Sequence, residues 1–323
     1  MDETYKQVTP YLPEAWRQYL NDLPPALLAE LEEIRLRPEH PVLLRFHTRE
    51  GWLNGRGGLS REPEAGCRFS AGDFGKSVLL ITDSSYYALA EELRRGYVTL
   101  PGGHRAGITG RAVLEKGQVR TLKDLSAVNI RLARHIPGLA RPLLPLLADA
   151  QGRLCHTLLV APPRAGKTTM LRDMACLLSS GAMGEALCCG VVDERSELAA
   201  LRLGVPPLPV GPRSYVLDGC PKAEGLMMLL RSMGPQAVLC DEIGRPEDVA
   251  AIAEAAHAGV KVIATAHGAP GEDLARRPAL RQLLADKAFG RFVFLSRRLG
   301  PGTVETVLDG EMRPVERSRN ECA

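Results

Sequence analysis

Nine consecutive residues near the middle of the chain have the composition of a phosphate-binding loop. The run Ala161–Thr169 reads Ala-Pro-Pro-Arg-Ala-Gly-Lys-Thr-Thr, follows the apolar stretch Leu158–Val160, and leads into a helical apolar pattern. Backbone N–H groups at a helix start attract phosphate because they are unpaired donors at the positive end of the helix dipole. We therefore predict a nucleotide site formed by Pro162, Pro163, Arg164, Ala165, Gly166, Lys167, Thr168 and Thr169.

Two side chains in this loop suit a triphosphate and its metal ion. Lys167 is expected to bridge the β- and γ-phosphates, and the Thr168 hydroxyl is expected to ligate Mg²⁺. The predicted cofactors are therefore ATP and Mg²⁺. The loop departs from the usual pattern at its first position, where Ala161 replaces glycine. If that position requires a positive φ, alanine costs on the order of 1 kcal/mol there.

Two pairs of carboxylates follow apolar stretches downstream of the loop. Asp193 and Glu194 form the first pair, and Asp241 and Glu242 form the second. Asp241 is expected to hold Mg²⁺ directly or through water, and Glu242 to orient or deprotonate an attacking water. An exposed acidic turn is the alternative interpretation of the second pair.

A third apolar stretch, Val262–Ala266, ends at His267. Ligands of open α/β sheets bind beyond the carboxyl ends of the strands, so a polar group there is placed to sense a γ-phosphate. The alternative is a histidine with only a structural role in a core or turn. The three stretches and the phosphate loop predict one site, because their carboxyl ends should converge.

The order of apolar segments predicts the elements that position these residues. After Arg153 the segments repeat in the order strand, loop and helix, which indicates a mostly parallel sheet covered by helices. The predicted strands are 157–160, 189–193, 237–241, 260–264 and 292–296. In the first half of the chain, the apolar segments 33–46, 77–82 and 107–114 are predicted as strands and hairpins. The sequence thus predicts an α+β domain at 1–140 and an α/β P-loop domain at 141–323.

Composition excludes several classes of protein. The 323 residues carry 41 Lys and Arg against 38 Asp and Glu, and a net charge of +3 gives no general case for nucleic-acid binding. The apolar runs are too short for a bilayer span, and the polar start Met1–Thr4 does not read as a signal peptide, so we expect a cytoplasmic protein. The eight cysteines form no Cys-x-x-Cys pair, and we interpret them as reduced thiols.

The order of phosphate loop, acidic pair, second acidic pair and histidine resembles that of the secretion and pilus motor ATPases. Within that class the chain is more similar to the family of stage III sporulation protein AA, an ATPase of the sporulation channel apparatus. No single short motif is specific to this family, but the set of motifs together is. The resemblance spans about residues 33 to 300. The segments that carry the resemblance are Glu33–Pro38, Gly96–Arg105, Val192–Glu197, Pro221–Gly225, Asp241–Arg245 and Thr265–Gly268.

The resemblance implies a RecA-like core in a cytosolic ring, expected to be a hexamer, that docks on a membrane-embedded channel or platform protein. It also implies that arginines of the first domain reach the phosphates. Arg105 and Arg131 are the first choices, the former in a tight turn and the latter in a strand-like pattern. Arg213 and Arg231 could act across a subunit interface. The full set of candidates in the first domain is Arg94, Arg95, Arg105, Arg131 and Arg134.

The resemblance leaves open which carboxylate activates water. Asp193, Glu194 and Glu242 all qualify as the base, and Glu242 is the first choice.

The leading hypothesis is an ATP-hydrolysing motor or gating ATPase for assembly of, or transport through, a membrane complex. A P-loop ATPase that binds single-stranded nucleic acid is the alternative, because the segment Gly102–Arg105 could contact phosphates. An aromatic content of 5% without an alternating aromatic and basic face argues against it. A nucleotide-gated scaffold without turnover is a third possibility, which Ala161 would permit.

Overall fold

The computed structural model describes residues 4–47, 49–55, 57–82, 90–94, 96–201, 204–268, 274 and 278–315. The chain divides into two compact units, residues 1–134 and residues 135–323. Each unit has a sheet and a hydrophobic core of its own.

The first unit is built around an antiparallel sheet of seven strands. In chain order the strands of the unit are β1 (Leu31–Leu36), β2 (His40–Pro41), β3 (Leu43–Phe46), β4 (Glu50–Asn54), β5 (Gly58–Ser60), β6 (Arg68–Phe69), β7 (Tyr97–Leu100), β8 (His104–Glu115) and β9 (Gln118–Arg131). The order in the sheet is β5-β4-β3-β1-β9-β8-β7, and β2 and β6 form a separate pair. The predicted segment 107–114 lies in β8, and the predicted segment 33–46 contains most of β1 together with β2 and β3.

The described α-helices of this unit are α1 (Glu14–Asn21), α2 (Pro25–Leu28), α3 (Ala71–Ile81) and α4 (Ala90–Arg94). The prediction of a strand at 77–82 is therefore wrong. Phe74, Val78 and Ile81 recur at helical spacing and are buried in the core of the unit. Ser70 caps the helix, because its hydroxyl accepts the backbone N–H of Asp73 at 3.0 Å.

The second unit contains another sheet of seven strands. The strands are β10 (Thr157–Ala161), β11 (Cys189–Asp193), β12 (Ser214–Asp218), β13 (Ala237–Cys240), β14 (Lys261–His267), β15 (Arg291–Ser296) and β16 (Thr303–Asp309). Their order in the sheet is β12-β11-β13-β14-β10-β15-β16, and all neighbours are parallel except β15 and β16. The five predicted strands are all present, with ends shifted by up to a few residues, while β12 and β16 are additional.

Helices cover both faces of this sheet. One face packs against α5 (Lys167–Ser179). The opposite face packs against α6 (Lys222–Met233), α7 (Pro246–His257) and α8 (Pro278–Ala285). Successive strand residues point to opposite faces, so each strand contributes to both cores. In β10, Leu159 faces the α5 side and Leu158 faces the α6 side.

Candidate active site

The phosphate-binding loop connects β10 to α5. Ala161, its first residue, is the buried last residue of β10 and pairs with His267 of β14. It is not among the residues with positive φ, so the anticipated cost of alanine does not arise. The left-handed positions are Arg164, with φ of 62°, and Gly166, with φ of 86°. A Cβ on Gly166 would lie 2.6 Å from the backbone nitrogen of Gly302, so this position requires glycine.

Lys167 is the first residue of α5 and is buried. Its ammonium group donates to the carbonyl oxygens of Ala161 at 2.8 Å and Pro162 at 3.1 Å, and lies 3.0 Å from Nδ1 of His267. An ammonium group only donates, so Nδ1 is the acceptor and Nε2 of His267 carries the ring proton. The side chain is thus held within the loop, beside the end of β14. Of the other predicted loop residues, Pro162, Pro163 and Arg164 are exposed, Ala165 is buried, and Thr169 is half-buried.

The second acidic pair begins with a carboxylate that meets the loop. Asp241 follows β13, and its Oδ2 accepts the hydroxyl of Thr168 at 2.8 Å, while its Oδ1 accepts the hydroxyl of Thr265. Among the described residues, no group of three or more His, Cys, Asp and Glu side chains is arranged to hold a metal. A single hydroxyl and carboxylate still fit Mg²⁺, which usually keeps several waters and takes its other ligands from substrate phosphates. Thr168 and Asp241 are therefore the residues that would hold it.

The side chain of Glu242 lies on the same face of the sheet as that of Asp241, because the backbone of Glu242 departs from the strand pattern. Strict alternation would put it on the α6 side with Cys240, opposite Asp241. Its φ of 50° instead lies in the left-handed region, which costs about 1 kcal/mol for a residue with a Cβ. Its Oε1 lies 2.6 Å from Nε2 of His267 and its Oε2 lies 2.6 Å from the Arg195 guanidinium. A strained residue of this kind is typical of functional sites.

Asp193, in the first acidic pair, has its carboxylate fully occupied by the protein backbone. It is buried at the end of β11 and accepts four backbone N–H groups at 2.8 to 3.0 Å, those of Glu197, Leu198, Ala199 and Ala200. A carboxylate in this position holds a loop in shape. The arrangement leaves it no face open to water.

Glu194 follows the strand alternation and points to the α6 side of the sheet. It accepts a short hydrogen bond from the buried ammonium group of Lys222, in the first turn of α6, and lies 3.9 Å from the Arg245 guanidinium. The charge of Glu194 is thus balanced by basic groups beside α6. Its contacts are with these groups and not with Thr168 or Lys167.

Two neighbouring residues tie α5 to segments on either side of it. Arg172 donates to the carbonyl oxygens of Leu198 at 2.6 Å and Glu197 at 2.5 Å. Burial lowers the pKa of the Arg172 guanidinium to about 10, which leaves it charged at neutral pH. Asp173 accepts the N–H groups of Gly138 at 2.9 Å and Ala140 at 2.7 Å. The helix that carries Lys167 is therefore bonded both to the loop after Asp193 and to residues 138–140.

Two of the candidate arginines of the first unit, Arg105 and Arg131, lie on its sheet. Arg105 and Arg131 are direct cross-strand partners in β8 and β9, so their side chains share one face. The Arg105 guanidinium lies 3.4 Å from the ring centroid of Tyr97, and Arg131 lies 3.9 Å from the buried carboxylate of Glu33. Arg134 donates to the carbonyl oxygen of Leu31 at 2.8 Å. Arg94 ends α4, and Arg95 lies outside the described residues.

Arg213 and Arg231 lie in the second unit. Arg213 is exposed and is 3.3 Å from the carbonyl oxygen of Ala186. Arg231 is exposed in the last turn of α6. It follows Lys222 by nine residues, or about 13 Å of helix. Lys222 lies beside the carboxyl end of β11. Arg231, at the other end of α6, therefore lies towards the amino ends of the strands, away from the Lys167 loop of the same chain.

The sequence interpretation missed Thr265 and Arg195. Thr265 is a fully buried polar residue within the apolar strand β14, and a hydroxyl inside such a strand is a signal that could have identified it. Arg195 lies in the loop after the first acidic pair and contacts Glu242 of the second, a contact that depends on the adjacency of β11 and β13. The cysteines within the described residues are free thiols, and burial raises the pKa of Cys240, next to Asp241, to about 12.

None of the helices in the described part of the chain has the length and hydropathy needed to cross a bilayer. Among solved structures, the ATPase DotB of Yersinia pseudotuberculosis is similar with a TM-score of 0.57 at 12% identity, over 93% of this chain and 81% of that one. The ATPase DotB of Legionella pneumophila gives a TM-score of 0.51 at 15% identity, over 82% and 72%. These likenesses concern the fold, and the predicted RecA-like α/β core is confirmed.

The sequence comparisons are more specific. The family model described as "Sporulation stage III, protein AA" matches residues 3–314. Stage III sporulation protein AA of Bacillus subtilis (strain 168) is 42% identical over 313 residues, which cover 97% of each chain.

Proposed function

The chain belongs to the Sporulation stage III, protein AA family, and from this premise we propose that it is a P-loop ATPase that converts ATP and water to ADP and phosphate. Its output is proposed to be the assembly of, or transport through, a membrane complex in a sporulating cell. The relatives with the same fold include proteins described as ATPases, which supports hydrolysis.

One observation carries this proposal. The ends of three adjacent strands, β13, β14 and β10, bring together a lysine, a hydroxyl, two carboxylates and a histidine. Lys167 contacts His267, His267 contacts Glu242, and Thr168 contacts Asp241. A cation for phosphate, ligands for a divalent metal and a base for water are the groups that phosphoryl transfer to water requires. They also lie at a helix N-terminus, which favours an anion.

The proposed reaction uses these groups in one step. Lys167 exchanges loop carbonyl oxygens for oxygens of the β- and γ-phosphates. Glu242 takes a proton from a water whose oxygen attacks the γ-phosphorus, and the bond from that phosphorus to the bridging oxygen breaks, so ADP leaves with the electron pair. Mg²⁺, when bound by Thr168 and Asp241, neutralises charge on the phosphate oxygens. His267 holds Glu242 through Nε2 and contacts Lys167 through Nδ1, and is proposed to sense the γ-phosphate.

Glu242 is preferred as the base over the first acidic pair. Asp193 is engaged by four backbone N–H groups, and Glu194 is paired with Lys222. Glu242 is the remaining candidate, and its contacts are side chains that can move. The non-hydrolysing scaffold loses its main argument, because Ala161 lies in an ordinary strand conformation.

We further propose that the chain acts as a ring, taken to be a hexamer, on the cytoplasmic side of the membrane, on the mother-cell side during sporulation. A membrane-embedded channel or platform protein is the proposed partner. Arg105 and Arg131, which are cross-strand neighbours in the first unit, are proposed to supply positive charge to the phosphates, as the family resemblance implies. Arg231 is proposed to act on the site of an adjacent subunit, since within its own chain it lies away from the loop.

The test is ATPase activity measured across protein concentrations, beside particle mass with and without ATP. We expect specific activity to rise as rings form, and Lys167→Ala to abolish turnover while the protein stays folded. Lys76→Ala, at an exposed position of α3, is the matched control and should behave as wild type. Unchanged hydrolysis in Lys167→Ala would contradict the assignment of the site. Stimulation of hydrolysis by single-stranded DNA or RNA would favour the nucleic-acid alternative.

A further inference from the structure

Thr265 is a buried hydroxyl residue next to the proposed catalytic carboxylates. It lies in β14, between Ala264 and Ala266, and is inaccessible to solvent. It faces the α5 side of the sheet, as Ile263 does two residues earlier. A buried hydroxyl among apolar residues is costly unless its hydrogen bonds are made, so its partners matter.

Both hydrogen-bonding roles of this hydroxyl are used, and both partners belong to the second acidic pair. Thr265 donates its hydroxyl hydrogen to Oδ1 of Asp241 and accepts the backbone N–H of Glu242 at 2.8 Å. A hydroxyl has one hydrogen and two lone pairs, so the two bonds form together. The carbonyl oxygen of Thr265 also accepts the N–H of Ile243 at 2.8 Å. The chain therefore turns away from β13 at a point bonded twice to Thr265.

The N–H that the Thr265 hydroxyl accepts belongs to Glu242, the residue whose backbone is strained. Strained conformations persist where the surrounding structure over-determines them. At Glu242 the left-handed φ directs the carboxylate towards His267, and its N–H is anchored by the Thr265 hydroxyl. The same hydroxyl orients the carboxylate of Asp241, whose other oxygen meets Thr168.

We propose that Thr265 is a positioning residue of the hydrolytic site, which acts through Glu242 and Asp241. This inference rests on the proposed ATPase function. A valine has the shape of threonine and suits a strand, but it removes both bonds to the acidic pair. The bond from Ile243 to the Thr265 carbonyl oxygen does not depend on the side chain, so the fold of the turn has a remaining anchor.

The experiment compares Thr265→Val, Thr265→Ser and Thr157→Val in the full-length protein. Thr157 is the matched control, because it is a buried strand threonine whose hydroxyl bonds to the carbonyl oxygen of Cys155, away from the acidic pair. We expect Thr265→Val to lower kcat for ATP about 10- to 100-fold, since small misplacements of catalytic groups have effects of this order. Thr265→Ser restores the hydroxyl and should recover most of kcat, and Thr157→Val should leave kcat unchanged.

A second readout does not depend on turnover. Hydrogen exchange of the Glu242 amide should be faster in Thr265→Val than in wild type, and close to wild type in Thr265→Ser. Wild-type kcat in Thr265→Val overturns the proposal, as does an equal loss of kcat in the serine variant, which would indicate packing by the methyl group. If the wild type shows no turnover, the proposed function fails, and unchanged exchange of the Glu242 amide in Thr265→Val then overturns the role of Thr265 separately.

Discussion

The two acidic pairs of the second unit have the same sequence pattern and different surroundings. Each is an Asp followed by a Glu after a buried strand, and the two strands, β11 and β13, are neighbours in the sheet. In the first pair, Asp193 binds the backbone of the following loop and Glu194 points to Lys222. In the second pair, Asp241 meets Thr168, and Glu242 turns back to meet His267. The first pair thus supports the structure of its loop, while the second is available for chemistry.

The difference arises from the backbone of the second residue of each pair. Glu194 keeps the alternation of its strand and points to the face opposite Asp193, whereas Glu242 has a φ of 50° and lies on the face of Asp241. A single torsion angle therefore decides whether two consecutive carboxylates act together or apart. Residue type and spacing do not report that angle.

Glu242→Gln is the substitution expected to have the largest effect. Glutamine keeps the size of the side chain but cannot take a proton from water, so kcat should fall about 10²- to 10⁴-fold while ATP remains bound. Steady-state kinetics and nucleotide binding measure the two parts. Glu194→Gln is the matched change in the first pair and should retain most of kcat. The reverse result would place the base in the first pair.

Asp193→Asn is expected to reduce stability rather than chemistry directly. The new amide group would face backbone N–H groups that need an acceptor, and unsatisfied buried donors cost about 1 to 3 kcal/mol each. We expect the free energy of unfolding to fall by about 3 kcal/mol, measured by urea denaturation. Asp241→Asn should lose less stability and more activity. Equal stability losses in the two variants would remove the distinction between the pairs.

Lys222→Met tests the environment of Glu194. The substitution removes the buried cation that pairs with this half-buried carboxylate, and we expect a loss of about 1 to 2 kcal/mol in unfolding free energy. The double variant Lys222→Met with Glu194→Gln should recover part of that loss. Additive losses in the double-mutant cycle would mean that the two residues are not coupled.

Arg195→Ala should have the smallest effect. Its guanidinium contacts Glu242, but the side chain is 58% exposed, and exposed ion pairs contribute about 0 to 1 kcal/mol. Thermal denaturation should show a stability within about 0.5 kcal/mol of wild type. The change in kcat should stay below tenfold, far less than in Glu242→Gln. A larger drop in kcat would make Arg195 part of the catalytic group.

Much of the fold was predictable from the sequence. The five strands of the α/β core were predicted because continuous apolar runs with polar ends are typical of buried parallel strands. The edge strands β12 and β16 were missed, since their half-exposed residues lack such runs. The segment 77–82 was assigned to a strand because its apolar run hides the helical spacing that begins at Phe74.

The candidate site was predictable in part. The sequence predicts that Thr168 and Asp241 lie where the carboxyl ends of the strands converge, and the structure places their side chains 2.8 Å apart. The loop bonds of Asp193 could not be predicted, because they depend on the orientation of N–H groups up to seven residues later. The concern about Ala161 was also a matter of backbone angle, and it disappears once the residue is seen to end β10.

The hydrogen bonds of Arg172 and Asp173 connect α5 to two separate chain segments, residues 197–198 and residues 138–140. The same helix starts at Lys167. Any displacement of the helix that keeps these bonds carries both segments with it. Because four hydrogen bonds join the helix to the two segments, a shift of the Lys167 end that left residues 138–140 and 197–198 in place would have to break some of these bonds.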